Sequence, residues 1–99
     1  MLDIKNTVNG TELTVKLIGR LDTTTAPVLE GDLRKSVDNI EKLIFEISEL
    51  EYISSAGLRV ILKAQKAMNK KGSMKLTGVN DSIMEVFDIT GFLDILTIE

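Results

Sequence analysis

The sequence FEISELEYISSAGLRVIL, residues 45–62, decides the fold because it carries the chain from a strand into a helix. Its first half contains a short apolar run typical of a strand, and its second half repeats apolar residues at helical spacing from Leu58 onward. Two serines, Ser54 and Ser55, lie between the halves, and serine is a preferred residue at helix starts. The stretch predicts a strand that gives way to a helix, with two hydroxyls at the start of the helix.

A helix start is also a place where an anion is stabilised. The first amides of a helix have no intrahelical acceptors, and the positive end of the helix dipole lies there. A phosphate carried by Ser54 or Ser55 would therefore be accommodated locally. On the residues alone, capping is the commoner role for a serine in this position, so the capping role and the phosphate-accepting role both stay open.

The segments on the N-terminal side predict a hairpin and then a helix. Asn9-Gly10 separates two alternating apolar segments, residues 2–4 and 13–17, and is a typical two-residue hairpin turn. Residues 23–27 then supply hydroxyls and a first-turn proline, which favour a helix start. The apolar residues that follow at helical spacing are Ala26, Leu29, Leu33, Val37 and Ile40.

The segments on the C-terminal side predict two further strands and a short helix. Residues 42–47 form the strand before the serines, and the helix after them ends at Lys70-Lys71-Gly72. Residues 74–79 predict the next strand. Ser82 and Glu85 have the spacing of a capping box and predict a helix that ends at Gly91. Residues 93–98 predict a last strand at the edge of the sheet.

This order of elements predicts an α/β fold. After the antiparallel hairpin, strand–helix–strand repeats indicate parallel strands joined by right-handed helical crossovers. Apolar Leu13, Val15 and Leu17 alternate with polar Thr14 and Lys16, whereas strands covered on both faces are continuously apolar. We therefore expect helices mainly on one face of a mixed sheet of four to five strands, in roughly sequential order.

Composition excludes several classes of function. At 99 residues, with 43% hydrophobic and 27% charged residues, the chain has the size and composition of one folded domain. The absence of Cys and His excludes disulfides, thiol catalysis, imidazole base catalysis and the usual zinc ligands. The glycine patterns of dedicated nucleotide sites are also absent. The sequence predicts a protein that is not an enzyme and has no cofactor or metal.

Charge and hydropathy bear on location and partners. A net charge of −3 gives no broad attraction for nucleic acid or for an anionic membrane. No apolar run reaches the roughly 18 residues of a membrane span, and the N-terminus lacks the layout of a signal peptide. We expect a cytoplasmic protein that neither binds nucleic acid nor inserts into a membrane.

Residues 45–62, together with Gly19-Arg20-Leu21-Asp22 upstream, resemble the STAS domains, and among them the stand-alone anti-sigma factor antagonists of bacteria. The resemblance runs nearly end to end and implies a single STAS domain over residues 1–99. It also implies that Ser55, two residues before the family's glycine, is the phosphorylated serine. Many members have Asp where this chain has Ser54, so Ser54 stays an alternative phosphoacceptor.

The resemblance implies a partner-switching mechanism. The unphosphorylated protein binds an anti-sigma factor that is itself a serine kinase, and so frees a sigma factor. Phosphorylation of Ser55 abolishes the binding, and a phosphatase acting on the phosphoserine would restore it. An alternative within the family is an adaptor or scaffold subunit of a lipid-transport or sensor complex. The expected partner-binding residues are Asp22, Ser54, Gly57, Leu58, Arg59 and Lys63.

Some of these residues also have structural interpretations. Asp22 could equally cap the first helix, and Gly57 could serve close packing as well as access by the kinase. A basic stripe on the second helix is either a solvated face or a docking surface for an acidic partner. The stripe consists of Arg59, Lys63, Lys66 and Lys70.

Three carboxylates precede the serines in one segment. Without His or an Asp-rich calcium loop nearby, they predict a solvated acidic loop in preference to acid catalysis or a cation site. These residues are Glu46, Glu49 and Glu51.

Overall fold

The structure is a computed structural model that describes residues 1–99. It contains four strands and three α-helices, followed by a short 3-10 turn at Phe92–Asp94. In chain order the elements are β1 (Leu2–Asn9), β2 (Glu12–Leu21), α1 (Ala26–Ser36), β3 (Lys42–Ile53), α2 (Ser55–Asn69), β4 (Ser73–Thr77) and α3 (Asp81–Ile89).

The four strands form one sheet in sequential order, β1-β2-β3-β4. β1 pairs antiparallel with β2, and β2 with β3 and β3 with β4 pair in parallel. This is the mixed sheet predicted from the hairpin and the strand–helix–strand repeats. Sequential order follows when every crossover winds in the same direction, which keeps the helices on one side.

One face of the sheet carries the core. Leu13, Val15 and Leu17 are fully buried, whereas Thr14 and Lys16 between them are only half-buried. The same alternation continues in β4 and in β3 as far as Ile47, so the buried face packs against the helices and the other face meets solvent. The prediction of helices on one face is confirmed.

The hairpin turn lies one residue later than predicted. Asn9 pairs with Glu12, so the two turn residues are Gly10 and Thr11. Gly10 has a φ of 66°, and no residue other than glycine has a positive φ. Only the first turn residue therefore needs the left-handed region, and Gly10 supplies it.

β3 is longer than predicted and continues to Ile53. Two shifts in its register against β2 each leave an extra residue in β3, between Lys16 and Ile18 of β2 and again between Gly19 and Arg20. The spacing of buried residues in β3 accordingly changes from two to three after Ile47. Because the alternation is interrupted, the sequence pattern here resembles that of a loop. The residues belong to β3, so the prediction of an acidic loop is wrong.

The predicted strand at residues 93–98 is also wrong. The Phe92 carbonyl accepts hydrogen bonds from the Ile95 and Leu96 amides at 3.0 and 2.9 Å, which coils the segment. Only Ile98 reaches the sheet, through a single parallel bridge to Leu76. Leu96 is buried and Ile98 packs against the core, so the segment contributes to the core without forming a strand.

Two helix boundaries also differ from expectation. α1 ends at Ser36, so Val37 and Ile40 lie beyond it. α3 is capped by Asn80, whose side chain accepts a hydrogen bond from the Ile83 amide at 2.9 Å, and the predicted capping box at Ser82 is wrong. None of the helices has both the length and the apolarity that a membrane crossing requires.

Candidate functional site

The start of α2 distinguishes the two serines. Ser54 is the N-cap residue, and its Oγ accepts a hydrogen bond from the Gly57 amide at 3.3 Å. The Ser54 amide donates to the Leu21 carbonyl at 2.9 Å, which ties the helix start to the end of β2. Ser55 is the first helical residue and is exposed, and its hydroxyl has no hydrogen-bond partner within the chain. Ser54 is therefore the cap, and Ser55 carries the free hydroxyl.

Gly57 allows α2 to pack closely on the end of β2. A Cβ atom at this position would lie 2.7 Å from Leu21 Cγ and 3.0 Å from the Leu21 carbonyl oxygen. Gly57 itself is buried, and the neighbouring Leu58 side chain is only 5% exposed, within the core. Both residues therefore lie beneath the surface around Ser55 and fix the position of the helix start through their packing.

Asp22 organises the turn between β2 and α1. Its Oδ1 accepts hydrogen bonds from the Thr24 hydroxyl at 2.7 Å and from the Thr24 and Thr25 amides at 3.0 and 3.1 Å. The N-cap of α1 is Thr25, so the prediction that Asp22 caps this helix is wrong. The hydrogen bonds, with that of the Thr24 hydroxyl contributing most, lower the pKa of Asp22 to about 2.

The Asp22 turn lies beside the start of α2 because β2 and β3 are parallel. Leu21 pairs with Ile53, so the residues that follow both strands emerge at the same edge of the sheet. In open α/β sheets, this carboxyl edge is where binding sites commonly lie. The structure thus places Asp22, Ser54 and Ser55 at the same edge of the sheet.

The basic stripe of α2 is exposed along its whole length. Of its four residues, only Lys63 forms an ion pair, at 3.1 Å from Glu30 Oε2 on α1. Arg34 lies at the same distance from the same oxygen. The pKa of Glu30 is lowered, chiefly by the hydrogen bond from Lys63, so this carboxylate stays ionised between two cations.

A groove between α1 and α2 was not predicted from the sequence. It consists of two hollows that share Glu30, Val60 and Lys63: a larger one of about 290 Å³ and a smaller one of about 170 Å³ beside Ala56. We call it the α1–α2 groove. The one sequence signal for it is the run of small residues on α2, Ala64 and Ala67, which leave space between the helices.

The three carboxylates before the serines are part of β3. Lys16 on β2 lies 2.8 Å from Glu49 and 3.8 Å from Glu46, and Glu46 also accepts a hydrogen bond from the Ser48 amide at 3.0 Å. Glu46 and Glu49 are therefore paired with the neighbouring strand across the solvent-facing side of the sheet, whereas Glu51 forms no ion pair. Nowhere does the structure bring together three side chains suited to a metal ion.

Comparison with known protein families matches residues 3–99 to the STAS domain. Two relatives illustrate the similarity. BtrV of Bordetella bronchiseptica is 37% identical over 84 residues, which cover 83% of this chain and 72% of BtrV. The anti-sigma-B factor antagonist of Bacillus subtilis is 32% identical over 98 residues, which cover 98% of this chain and 88% of the relative.

Solved structures share the fold. The crystal structure of an anti-sigma factor antagonist from Mycobacterium paratuberculosis matches with a TM-score of 0.90 at 19% identity, covering 99% of this chain and 85% of that one. The antagonist SpoIIAA in its unphosphorylated form matches with a TM-score of 0.83 at 15% identity, over 100% and 88% of the two chains. SpoIIAA of Bacillus in its phosphorylated form matches with a TM-score of 0.76 at 15% identity, over 100% and 91%.

Proposed function

The chain belongs to the STAS domain family, and we propose that it acts as an anti-sigma factor antagonist. In this role it is a regulator and not a catalyst. The unphosphorylated chain binds a serine-kinase anti-sigma factor in the cytoplasm and frees a sigma factor. The kinase phosphorylates Ser55, the complex dissociates, and a phosphatase returns the chain to its binding form.

One observation carries the assignment of the phosphoacceptor. The Ser54 oxygen is held by the Gly57 amide as a helix cap, whereas the Ser55 hydroxyl is exposed and unbonded one residue later. A kinase needs a hydroxyl that it can reach and deprotonate, and Ser55 offers one without loss of the cap. A relative of the same fold, SpoIIAA, has a phosphorylated form, which agrees with this proposal.

The charge of the phosphate explains release. Phosphorylation adds about −1.5 to −2 charges and three acceptor oxygens. At the start of α2 the free amides and the helix dipole offset part of this charge within the chain. In a complex, however, the charge would lose water, which costs several kcal/mol per ion without a partner. Since about 1.4 kcal/mol corresponds to a tenfold change, we expect the affinity to fall by several orders of magnitude.

The proposed partner surface surrounds Ser55. Asp22, Ser54, Arg59 and Lys63 contribute their accessible atoms to it. Gly57 and Leu58 belong to the same surface through their backbone, since Gly57 has no side chain and the Leu58 side chain lies in the core. A change at Arg59 or Lys63 should therefore act on binding more directly than a change at Leu58, which would act through packing.

The test is to incubate the chain with ATP and the serine-kinase anti-sigma factor of its own organism and to map phosphate by peptide mass spectrometry. We expect phosphate on Ser55. Ser55→Ala should bind the kinase and stay unphosphorylated, and Ser55→Asp should lose binding.

Ser54→Ala is the matched control. It removes the cap and should cost about 0.5–2 kcal/mol of stability, yet it should still be phosphorylated on Ser55. Phosphate found on Ser54 in the wild-type chain would overturn the residue assignment. Absence of both binding and phosphate with an active kinase would overturn the function.

A further inference from the structure

The α1–α2 groove has an apolar floor and a charged middle. Buried Leu33, Leu43 and Met68 line its larger hollow, and the small side chains of Ala64 and Ala67 form one wall. The Glu30–Lys63 ion pair crosses the groove where the two hollows meet. The groove thus offers one apolar depression next to a bridge of charged groups.

The groove follows α2 away from the proposed phosphorylation site. The smaller hollow includes Ala56, directly after Ser55, and the larger hollow ends at Met68. Twelve residues of helix separate these ends, which is about 18 Å at 1.5 Å per residue. At the far end, Lys71 Nζ donates a hydrogen bond to the Val37 carbonyl and links the segments that follow the two helices. A ligand that begins at Ser55 can therefore run along the groove for about three helical turns.

The charge of the groove is opposite to that of the whole chain. The chain has a net charge of −3. The groove lining nevertheless contains three cations, Arg34, Arg59 and Lys63, and a single carboxylate, Glu30. Arg34 and Lys63 share the single carboxylate of Glu30, so a carboxylate from a ligand could pair with one of them. The groove is therefore complementary to an acidic ligand.

From the apolar hollow, the excess of cations and the continuity with Ser55, we propose that the α1–α2 groove binds an acidic amphipathic segment of the partner kinase. One apolar side chain of that segment occupies the larger hollow, and flanking carboxylates pair with Arg34, Lys63 and Arg59. This inference rests on the proposed function and names the surface by which the same partner is held beyond the phosphorylation site.

The open shape of the hollow favours a side chain of a protein over a free small molecule. One wall of it, at Ala67, is exposed, whereas small-ligand pockets enclose most of the ligand surface. An open apolar groove between two helices is the geometry that accepts an amphipathic helix through anchors one and two turns apart. Carboxylates on that helix would also speed its association with a basic groove.

The test measures the affinity of the full chain for the serine-kinase anti-sigma factor by calorimetry. Ala67→Leu fills the larger hollow with a good helix former at an exposed position, and Arg34→Glu reverses one cation of the groove. Lys35→Leu and Lys35→Glu are the matched controls for the added leucine and for the reversed charge, since Lys35 is exposed on α1 outside the groove lining. We expect at least a tenfold loss of affinity for the two groove variants and less than a twofold change for the controls.

The outcomes separate the two proposals. If the wild-type chain binds and Ala67→Leu binds equally well, the groove proposal is wrong and the antagonist function stands. If the wild-type chain does not bind an active kinase, the function itself fails. Thermal unfolding verifies that each variant folds. Should Ala67→Leu not fold, Arg34→Glu decides alone, because the Arg34 side chain is 78% exposed and its replacement leaves the core intact.

Discussion

At the scale of single residues, Asp22 acts as an ionised carboxylate that holds its turn. Four hydrogen bonds from Thr24 and Thr25 converge on one of its oxygens, and each favours the charged form. Protonation would remove the negative charge on which these bonds depend. The turn that lies beside Ser55 is therefore shaped by the charge state of Asp22.

This charge state gives a pH dependence of stability. Folding lowers the pKa of Asp22 from 3.8 to about 2, so its contribution is complete above about pH 4 and is lost as the pH falls through about 2. We expect the free energy of unfolding in urea to decrease between pH 4 and pH 2. Asp22→Asn should be less stable at pH 4 and should show a shallower decrease.

Asp3→Asn is the control, since this exposed carboxylate on β1 accepts no hydrogen bond in the structure. It should leave the pH dependence unchanged. An identical slope in Asp22→Asn and the wild-type chain would show that the hydrogen bonds of the turn do not depend on the charge of Asp22.

The assignment of the two serines shows what the sequence can predict at this scale. Ser54 and Ser55 have the same chemistry and adjacent positions, so residue type alone does not tell which one caps the helix and which one keeps a free hydroxyl. The distinction depends on the extended backbone of Ser54, with φ −95° and ψ 174°, which aims its oxygen at the Gly57 amide. Likewise, no local pattern relates Lys63 to Glu30, which is 33 residues away in the chain.

At the scale of elements, the sequence correctly located those helices and strands whose apolar periodicity is uninterrupted. The apolar period of α2 and the alternation of β2 are local properties, and both elements were located correctly. β3 was predicted too short because its two extra residues break the alternation after Ile47, and these depend on the partner strand β2. The strand expected at 93–98 fails for a related reason, since hydrogen bonds to the Phe92 carbonyl coil the chain before it can pair with β4.

The packing of α2 on β2 gives a prediction at this scale. In Gly57→Ala the new methyl group would lie 2.7 Å from Leu21 Cγ, so either the side chain or the helix must move. We expect a loss of about 1–3 kcal/mol in the free energy of unfolding, the usual cost of overpacking. For a chain of this size, about 1 kcal/mol corresponds to roughly 4–8 °C in the unfolding temperature.

Gly31→Ala is the matched control within α1. Nothing lies within 4 Å of the added Cβ there, so the variant should be stabilised by about 0.5–1 kcal/mol through helix propensity alone. Calorimetric unfolding of both variants measures the contrast. Equal stabilisation at both positions would show that α2 can move away from Leu21 without lowering the free energy of unfolding.

At the scale of the whole molecule, the fold separates the core from the proposed switch. A core cluster of 22 residues lies between the sheet and the helices, and Ser55 projects from the edge where β2 and β3 end. A phosphate there contacts solvent and the free amides of α2, whereas no buried residue has to move. Under the proposed function, phosphorylation would therefore change the surface charge at Ser55 while the interior stays constant.

This separation predicts that phosphorylation changes binding without refolding the chain. In the chain phosphorylated by its kinase, amide chemical shifts should change only in the first turn of α2 and in the Asp22 turn. The unfolding temperature should stay the same or rise by a few degrees, because a negative group at a helix start contributes about 0.3–1 kcal/mol. Ser55→Ala treated with kinase and ATP is the control and should show no shifts. Changes spread over all four strands would instead mean that release of the partner depends on a rearrangement of the sheet, and local charge would then be insufficient to explain the switch.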